Sequence, residues 1–291
     1  MLTNDRPQTI TPARSLPRRG LSLPTKPILI TLALVYISII LLLPLITLIY
    51  ESLHLGLQPL ITAISTSEFR SALQLTFLLT AIAVPLNTFF GLCAAWVLAR
   101  QHFPGRTLLL SLIDLPFAIS PVVAGLMIVL LYGRHGWFGA WLEAIDFQVV
   151  FAVPGMAIAT LFITLPFVVR EVIPVLEEMG AEQEEAARTL GANDWQIFWR
   201  ITLPHIRWGL LYGVLLTNAR ALGEFGAVAV VSGSILGRTQ TLPIFVEQAY
   251  KNYQTQAAFG AAAILVLLAL STLIIKEVVG QKSGMTSRSS I

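Results

Sequence analysis

Charge is scarce in this sequence. Lys, Arg, Asp and Glu make up 12% of its 291 residues and hydrophobic residues 55%, where a soluble domain carries roughly 25% charged residues. A chain so composed does not build a water-facing surface around one soluble core; bilayer is its solvent. Cysteine is scarcer still. Cys93 stands alone, which excludes an internal disulfide and any cysteine cluster for zinc. His54, His102, His135 and His205 fall on separate loops without ligand spacing, so their roles are structural or interfacial rather than metal-binding. No Gly-x-x-x-x-Gly-Lys-[Ser/Thr] phosphate cradle occurs, and the chain by itself therefore does not bind and hydrolyse ATP in the usual way. No internal repeat is evident. The net charge of +3 does not point to nucleic acid, because the basic residues sit in loops that flank apolar runs.

What is present is a succession of apolar runs, each able to cross roughly 30 Å of hydrocarbon at about 1.5 Å per residue. They predict an all-α polytopic membrane protein with about six transmembrane helices, over about 28–50, 71–98, 108–131, 149–169, 208–232 and 257–275. Residues 1–27 carry Arg6, Arg14, Arg18, Arg19 and Lys26 among prolines and read as a disordered basic arm. A signal peptide would have an apolar core of about 7 to 15 residues; the first run is longer and lacks a cleavage site, so it reads as a retained anchor bent at Pro44. Residues 281–291 form a short polar tail. Asn87, inside the second run, is placed to bond a neighbouring helix.

Several polar or helix-breaking residues interrupt these runs. Pro116 and Pro121 each remove a backbone donor and crowd the preceding turn. Ser120 is a good N-cap and Pro121 suits the first helical position, so a half-helix could start there with its amides pointing inward; a proline kink accommodated by neighbours explains the pattern equally. The fifth run holds Asn218, Arg220 and Glu224 near its middle. An Arg at a helix centre costs roughly 2.5 to 3.5 kcal/mol, and four-residue spacing puts Arg220 and Glu224 on one side of a helix. They read either as an ion pair that holds the bundle or, with Ser120 and Asn218, as part of a translocation path.

Between the fourth and fifth runs lies a polar island over about 176–204. Leu176, Met179, Gln183, Ala186, Ala187 and Leu190 recur at helical spacing, with Glu177, Glu178, Glu182, Glu184 and Glu185 on the other face and early turns. Gly191 sits where a helix needs a residue tolerant of positive φ, and Asn193 with Gln196 forms the pattern of a capping box for a second helix. Trp195, Phe198 and Trp199 make its apolar stripe, and Leu203-Pro204 is expected to end it. With the amino terminus inside, the cytoplasmic segments hold fourteen Lys and Arg against four on the opposite side, namely Arg70, Arg134, Arg238 and Lys251. That bias places the hairpin and both termini in the cytoplasm.

The hairpin has a fixed pattern besides its helical one. Glu185-Ala186-Ala187, three residues, Gly191, nine residues, then Ile201, any residue, Leu203 and Pro204 resembles the EAA loop of the permease subunits of bacterial ABC importers. With each of these seven positions matched by accident at roughly one in fifteen, chance is a poor account of it. The runs 114–125 (DLPFAISPVVAG), 220–227 (RALGEFGA) and 237–243 (GRTQTLP) are similar to the sulfate and molybdate branch of that family; the first of them, with Gly133 to Gly139 after it, is most like the W-type subunit of sulfate/thiosulfate importers. The resemblance covers about residues 28–280 and implies a type I permease domain there.

It further implies that Glu185, Ala186, Ala187, Gly191, Ile201, Leu203 and Pro204 couple the chain to an ATPase. Ala186 and Ala187 permit close approach, and Glu184 and Glu185 can pair with basic groups on that partner. The partners so implied are a homologous T-type permease, two ATP-binding subunits and a periplasmic sulfate-binding protein, in a bacterial inner membrane. No cofactor is expected on this chain, ATP and Mg belonging to the ATPase. Molybdate or tungstate import is the neighbouring reading, since these are similar tetrahedral dianions. A secondary transporter driven by an ion gradient, or a structural subunit without a pathway, would each lack an ATPase partner.

Overall fold

The computed structural model describes residues 25–54 and 56–283. The basic arm to residue 24 and the tail beyond residue 283 lie outside the described residues, and residues 25–27 and 281–283, expected in arm and tail, are helical instead. Two compact units are separated at Thr47/Leu48. The first unit holds α1 (Thr25–Ile37), a wider π turn over Ser38–Leu42 and the start of α2 (Leu43–Leu53). Its side chains from Ile28 to Pro44 are exposed, as apolar residues can be where lipid replaces water. Pro27–Leu53 forms one span, and the π turn ends at Leu42, two residues before Pro44.

The second unit continues with α3 (Leu57–Ile64), α4 (Ser67–Arg100), α5 (Arg106–Ile113), α6 (Leu115–Ala118), α7 (Pro121–Tyr132), α8 (Gly139–Ala144) and α9 (Val153–Met179). After α10 (Glu182–Thr189) and α11 (Asp194–Ile197), a second π turn, Phe198–Thr202, leads into α12 (Leu203–Leu222). Then follow α13 (Gly226–Ser232), α14 (Leu242–Lys251) and α15 (Thr255–Ser283). Among the described residues, four helices are long and apolar enough to span a bilayer, or five if the bent pair formed by Asp194–Leu222 and α13 is one span.

Two of the six apolar runs differ from continuous spans. The third is divided into α5, α6 and α7 at Asp114 and at Ile119-Ser120. The fifth bends by 51° between α12 and α13, where Gly223, Glu224 and Phe225 leave the helix. Pro204 does not end a helix. The π turn widens the ring so that Leu203 N–H donates to Phe198 O, and Pro204 then falls in the first turn of α12, where its missing donor is not needed.

The core is assembled along α4 and α9. Leu75 and Leu79 meet Met156, Ile163, Ala124, Val228 and Val231 toward one end; Leu98 meets Val168, Val172, Leu176 and Ile206 toward the other. Asn87 donates to Leu161 O at 3.0 Å and to Thr164 Oγ1 at 2.7 Å, the interhelical bond expected of it. A third cluster joins Phe69 and Ala72 of α4 to Leu242 and Phe245 of α14 and to Ala258 and Ala261 of α15. The two broken segments pack on each other at Gly125, where a Cβ would lie 2.7 Å from Ala227 O. Only glycine lets α7 and α13 come so close.

Candidate functional site

The polar island is a hairpin of α10 and α11, but its first helix is shorter than the periodicity predicts. Gly180, with φ +68°, stops α9, so Leu176 and Met179 belong to α9 and α10 starts at Glu182. The two arms meet at Gly191, whose φ of +88° is the positive value expected there. Gly191 N–H donates to Arg188 O and Ala192 N–H to Ala187 O, both at 3.0 Å. Arg188 and Asp194 close the turn with an ion pair of 2.8 Å. The capping box is present: Gln196 N–H donates to Asn193 Oδ1 at 2.8 Å and Asn193 N–H to Gln196 Oε1 at 3.0 Å.

The faces of α10 depart in part from the pattern read in the sequence: Glu182 and Glu185 are exposed and Ala187 is half-buried, but the remaining positions differ. Gln183, Ala186 and Leu190 are exposed, Leu190 by 89%, whereas Glu184 is buried. Glu184 therefore does not offer its charge to a partner. Its carboxylate accepts from Arg100 Nε and Nη2, each at 3.1 Å, and from Thr202 Oγ1 at 2.8 Å, while Arg100 Nη1 donates to Leu176 O at 2.9 Å. Burying a carboxylate is costly unless it is paired and its lone pairs are filled; Arg100 and Thr202 meet that condition. Ala186, by contrast, carries no such demand and faces out.

Glu185 remains exposed beside Ala186, and Ala187 is half-buried. Ile201 and Leu203 are half-buried and Pro204 is exposed, on the π turn and the first turn of α12. Trp195, Phe198 and Trp199 form a ring cluster with centroids 5.5 to 6.5 Å apart, and Trp195 and Trp199 are exposed rather than packed inward. A third ion pair, Arg106 to Glu177 at 2.8 Å, ties the start of α5 to the end of α9. The hairpin is thus tied to the end of α4 through Glu184 and Arg100, with Ala186 and Leu190 exposed and Trp195 and Trp199 lining a groove shared with Phe89 and Cys93 of α4.

The intramembrane polar residues divide. Arg220 Nη1 lies 2.6 Å from Glu224 Oε2, and Glu224 Oε1 accepts from Ala227 N–H at 3.0 Å, so the carboxylate also caps the first turn of α13. Glu224 lies beyond the end of α12, so the pair closes across the helix break rather than along one helix. Pro121 and Gly226 abut, a Cβ at Gly226 falling 2.7 Å from Pro121 Cβ. The starts of α7 and α13 are therefore side by side, next to Ser120 and Glu224. Ser120 precedes α7 in the N-cap position, but its side chain makes no capping bond. Asn218 is elsewhere: it donates to Thr272 Oγ1 of α15 at 3.3 Å.

Arg100 and Thr202 do not stand out in the sequence. Thr202 occupies the variable position between Ile201 and Leu203, and Arg100 reads as one more basic residue at a membrane edge. The signal that could find them is the surplus acid: Glu184 next to Glu185 on one short helix implies that one of the two faces a cation on the bundle.

Comparison with known proteins places this architecture. Residues 88–283 match the family described as binding-protein-dependent transport system inner membrane component. A sulfate transport system permease protein CysW from Synechocystis sp. is 71% identical over 259 residues, covering 89% of this chain and 94% of that one. A sulfate transport system permease protein CysT from Escherichia coli is 41% identical over 266 residues, covering 89% and 94%. In fold, a chain of a bacterial alginate ABC transporter crystallised with a pentasaccharide-bound periplasmic protein superposes with a TM-score of 0.73 at 16% identity, over 91% of this chain and 95% of that one. Broken apolar helices around a buried α4–α9 core, a polar hairpin at one end and 71% identity along nearly the whole length lead to one conclusion: the chain belongs to the inner membrane components of binding-protein-dependent transport systems, in their CysW-type sulfate permease branch.

Proposed function

We propose that this chain is a transmembrane permease subunit of an ATP-driven importer of sulfate and thiosulfate. It forms the translocation path with a homologous T-type permease and receives its energy from two copies of a separate ATPase. A periplasmic sulfate-binding protein delivers the anion. Identity with sulfate permeases at 71% and 41% supports sulfate over molybdate. The observation that carries the coupling role is the hairpin itself: anchored inward by Glu184, it presents Glu185, Ala186, Leu190 and Trp195 outward. A short helix pair held rigidly at its base, with small residues on its free face, suits insertion into a groove on a partner.

Co-expression with the second permease, the ATPase and the binding protein tests this reading. The expected result is one detergent-stable complex holding two ATPase copies per permease pair, and uptake of labelled sulfate into proteoliposomes only with ATP inside. Uptake without the ATPase, or a permease that never retains it, would refute the proposal. Competition by molybdate stronger than by thiosulfate would shift the substrate assignment.

The proposed topology puts both termini and the hairpin in the cytoplasm. Lys251, exposed at the end of α14 and paired with Glu247, then lies outside. Single cysteines at Ser289 and at Lys251 in a Cys93→Ser background are expected to react with an impermeant thiol reagent from opposite sides. Reaction of both from outside would refute this topology.

A further inference from the structure

The buried acid of the hairpin is a different device from its exposed neighbour. One carboxylate, Glu184, connects four pieces of chain: α10, which carries it; α4, through the bidentate fork of Arg100; α9, through the bond from Arg100 to Leu176 O; and the π turn leading into α12, through Thr202. The side chains of Arg100 and Glu184 are 10% and 9% exposed, and Thr202 is buried. A planar guanidinium gripping both carboxylate oxygens fixes orientation as well as distance. A buried ion pair adds little net stability over apolar packing of the same volume. Stability is already supplied here by Leu98, Val172, Leu176 and Ile206 around it. What the pair adds is geometry. The π turn at Phe198–Thr202 adds to this, since such turns cluster at functional positions.

We propose that Glu184, held by Arg100 and Thr202, is a positioning residue through which the hairpin and the ends of α4, α9 and α12 move as one body, so that a displacement of the hairpin becomes a displacement of the transmembrane helices. Glu185 and its neighbours make the outward contact; Glu184 passes the motion inward. This rests on the proposed ATPase-coupled function and names the linkage within it. Arg100 and Thr202 touch neither the anion nor the partner's surface in this arrangement.

The test separates geometry from charge. Arg100→Lys keeps the positive charge beside Glu184 but cannot grip both oxygens and reach Leu176 O together; Thr202→Val keeps the shape and removes one donor. Each is introduced into the full complex in proteoliposomes, and sulfate taken up per ATP hydrolysed is measured with liganded binding protein present. The expected result is an unchanged yield of complex and ATPase stoichiometry, with uptake per ATP lowered about tenfold in Arg100→Lys and about threefold to fivefold in Thr202→Val, the latter the worth of one hydrogen bond. A merely structural contact would change yield but not this ratio. Wild-type uptake per ATP in Arg100→Lys overturns the linkage, and so does loss of the ATPase from both variants, which would make it a folding contact. Failure of the underlying function is recognised separately, because the wild-type complex would then lack the ATPase or ATP-driven uptake.

Discussion

Gly191→Val is expected to reduce binding-protein-stimulated uptake on the order of a hundredfold, equivalent to about 2.7 kcal/mol, while the protein still inserts and accumulates in the membrane. A Cβ at this position meets nothing within 4 Å, so no clash contributes. The whole penalty is conformational. At φ +88° an L-residue costs about 1–2 kcal/mol, and a β-branched one more. The hairpin relieves that strain by giving up the Ala192 to Ala187 bond and the Arg188–Asp194 closure, after which α11 no longer holds its angle to α10. Because α10 is fixed at Glu184 and α11 runs on into α12, the misplacement appears at the exposed tip, where the partner would bind. Gly191→Asn is the control, since Asn tolerates the left-handed region and should keep most of the activity. Full stimulated ATP hydrolysis and full uptake in Gly191→Val would refute the coupling role.

The fold and half of this site were legible because they follow from short-range rules. Lipid-length apolar runs have one structural solution, a glycine between two helical patterns marks a turn, and Asn193 with Gln196 fixes a helix start through two local bonds. The rest depended on partners far away in sequence. Periodicity assigned every acid of α10 to the outer face; Arg100, 84 residues earlier, turned one of them inward by offering Glu184 a buried partner. Pro204 looked like a terminator because local rules do not anticipate a π turn that shifts the ring before it. The break at residues 223–225 was hidden for a similar reason: a continuous apolar run with one ion pair reads as a helix, and only the packing of Gly226 on Pro121 shows that the chain turns there. Asn218, grouped with Arg220 by proximity in sequence, points instead to Thr272.

Arg220→Gln alone is expected to remove the protein from the membrane, and the double change Arg220→Gln with Glu224→Gln to bring it back without transport. Glu224 has a side chain 1% exposed; its Oε1 accepts from Ala227 N–H, while its buried Oε2 has no hydrogen-bond donor and is balanced only by the charge of Arg220 at 2.6 Å. Removing only Arg220 strands a buried carboxylate, a loss of about 3–5 kcal/mol. The double variant removes both charges, and the amide it introduces at 224 still has an oxygen for Ala227 N–H, so assembly should recover. The pair is also lopsided: Arg220 keeps a third of its side chain exposed, at 33%, beside the paired starts of α7 and α13, while its counter-ion is sealed. If Arg220 lines the anion route, a cation open on one side and restrained from the other would attract a dianion without trapping it. Assembly by gel filtration, ATP hydrolysis and labelled sulfate uptake are measured together. Recovered assembly and hydrolysis with uptake at background place Arg220 on the anion route; uptake recovered along with assembly would reduce the pair to a brace across the helix break.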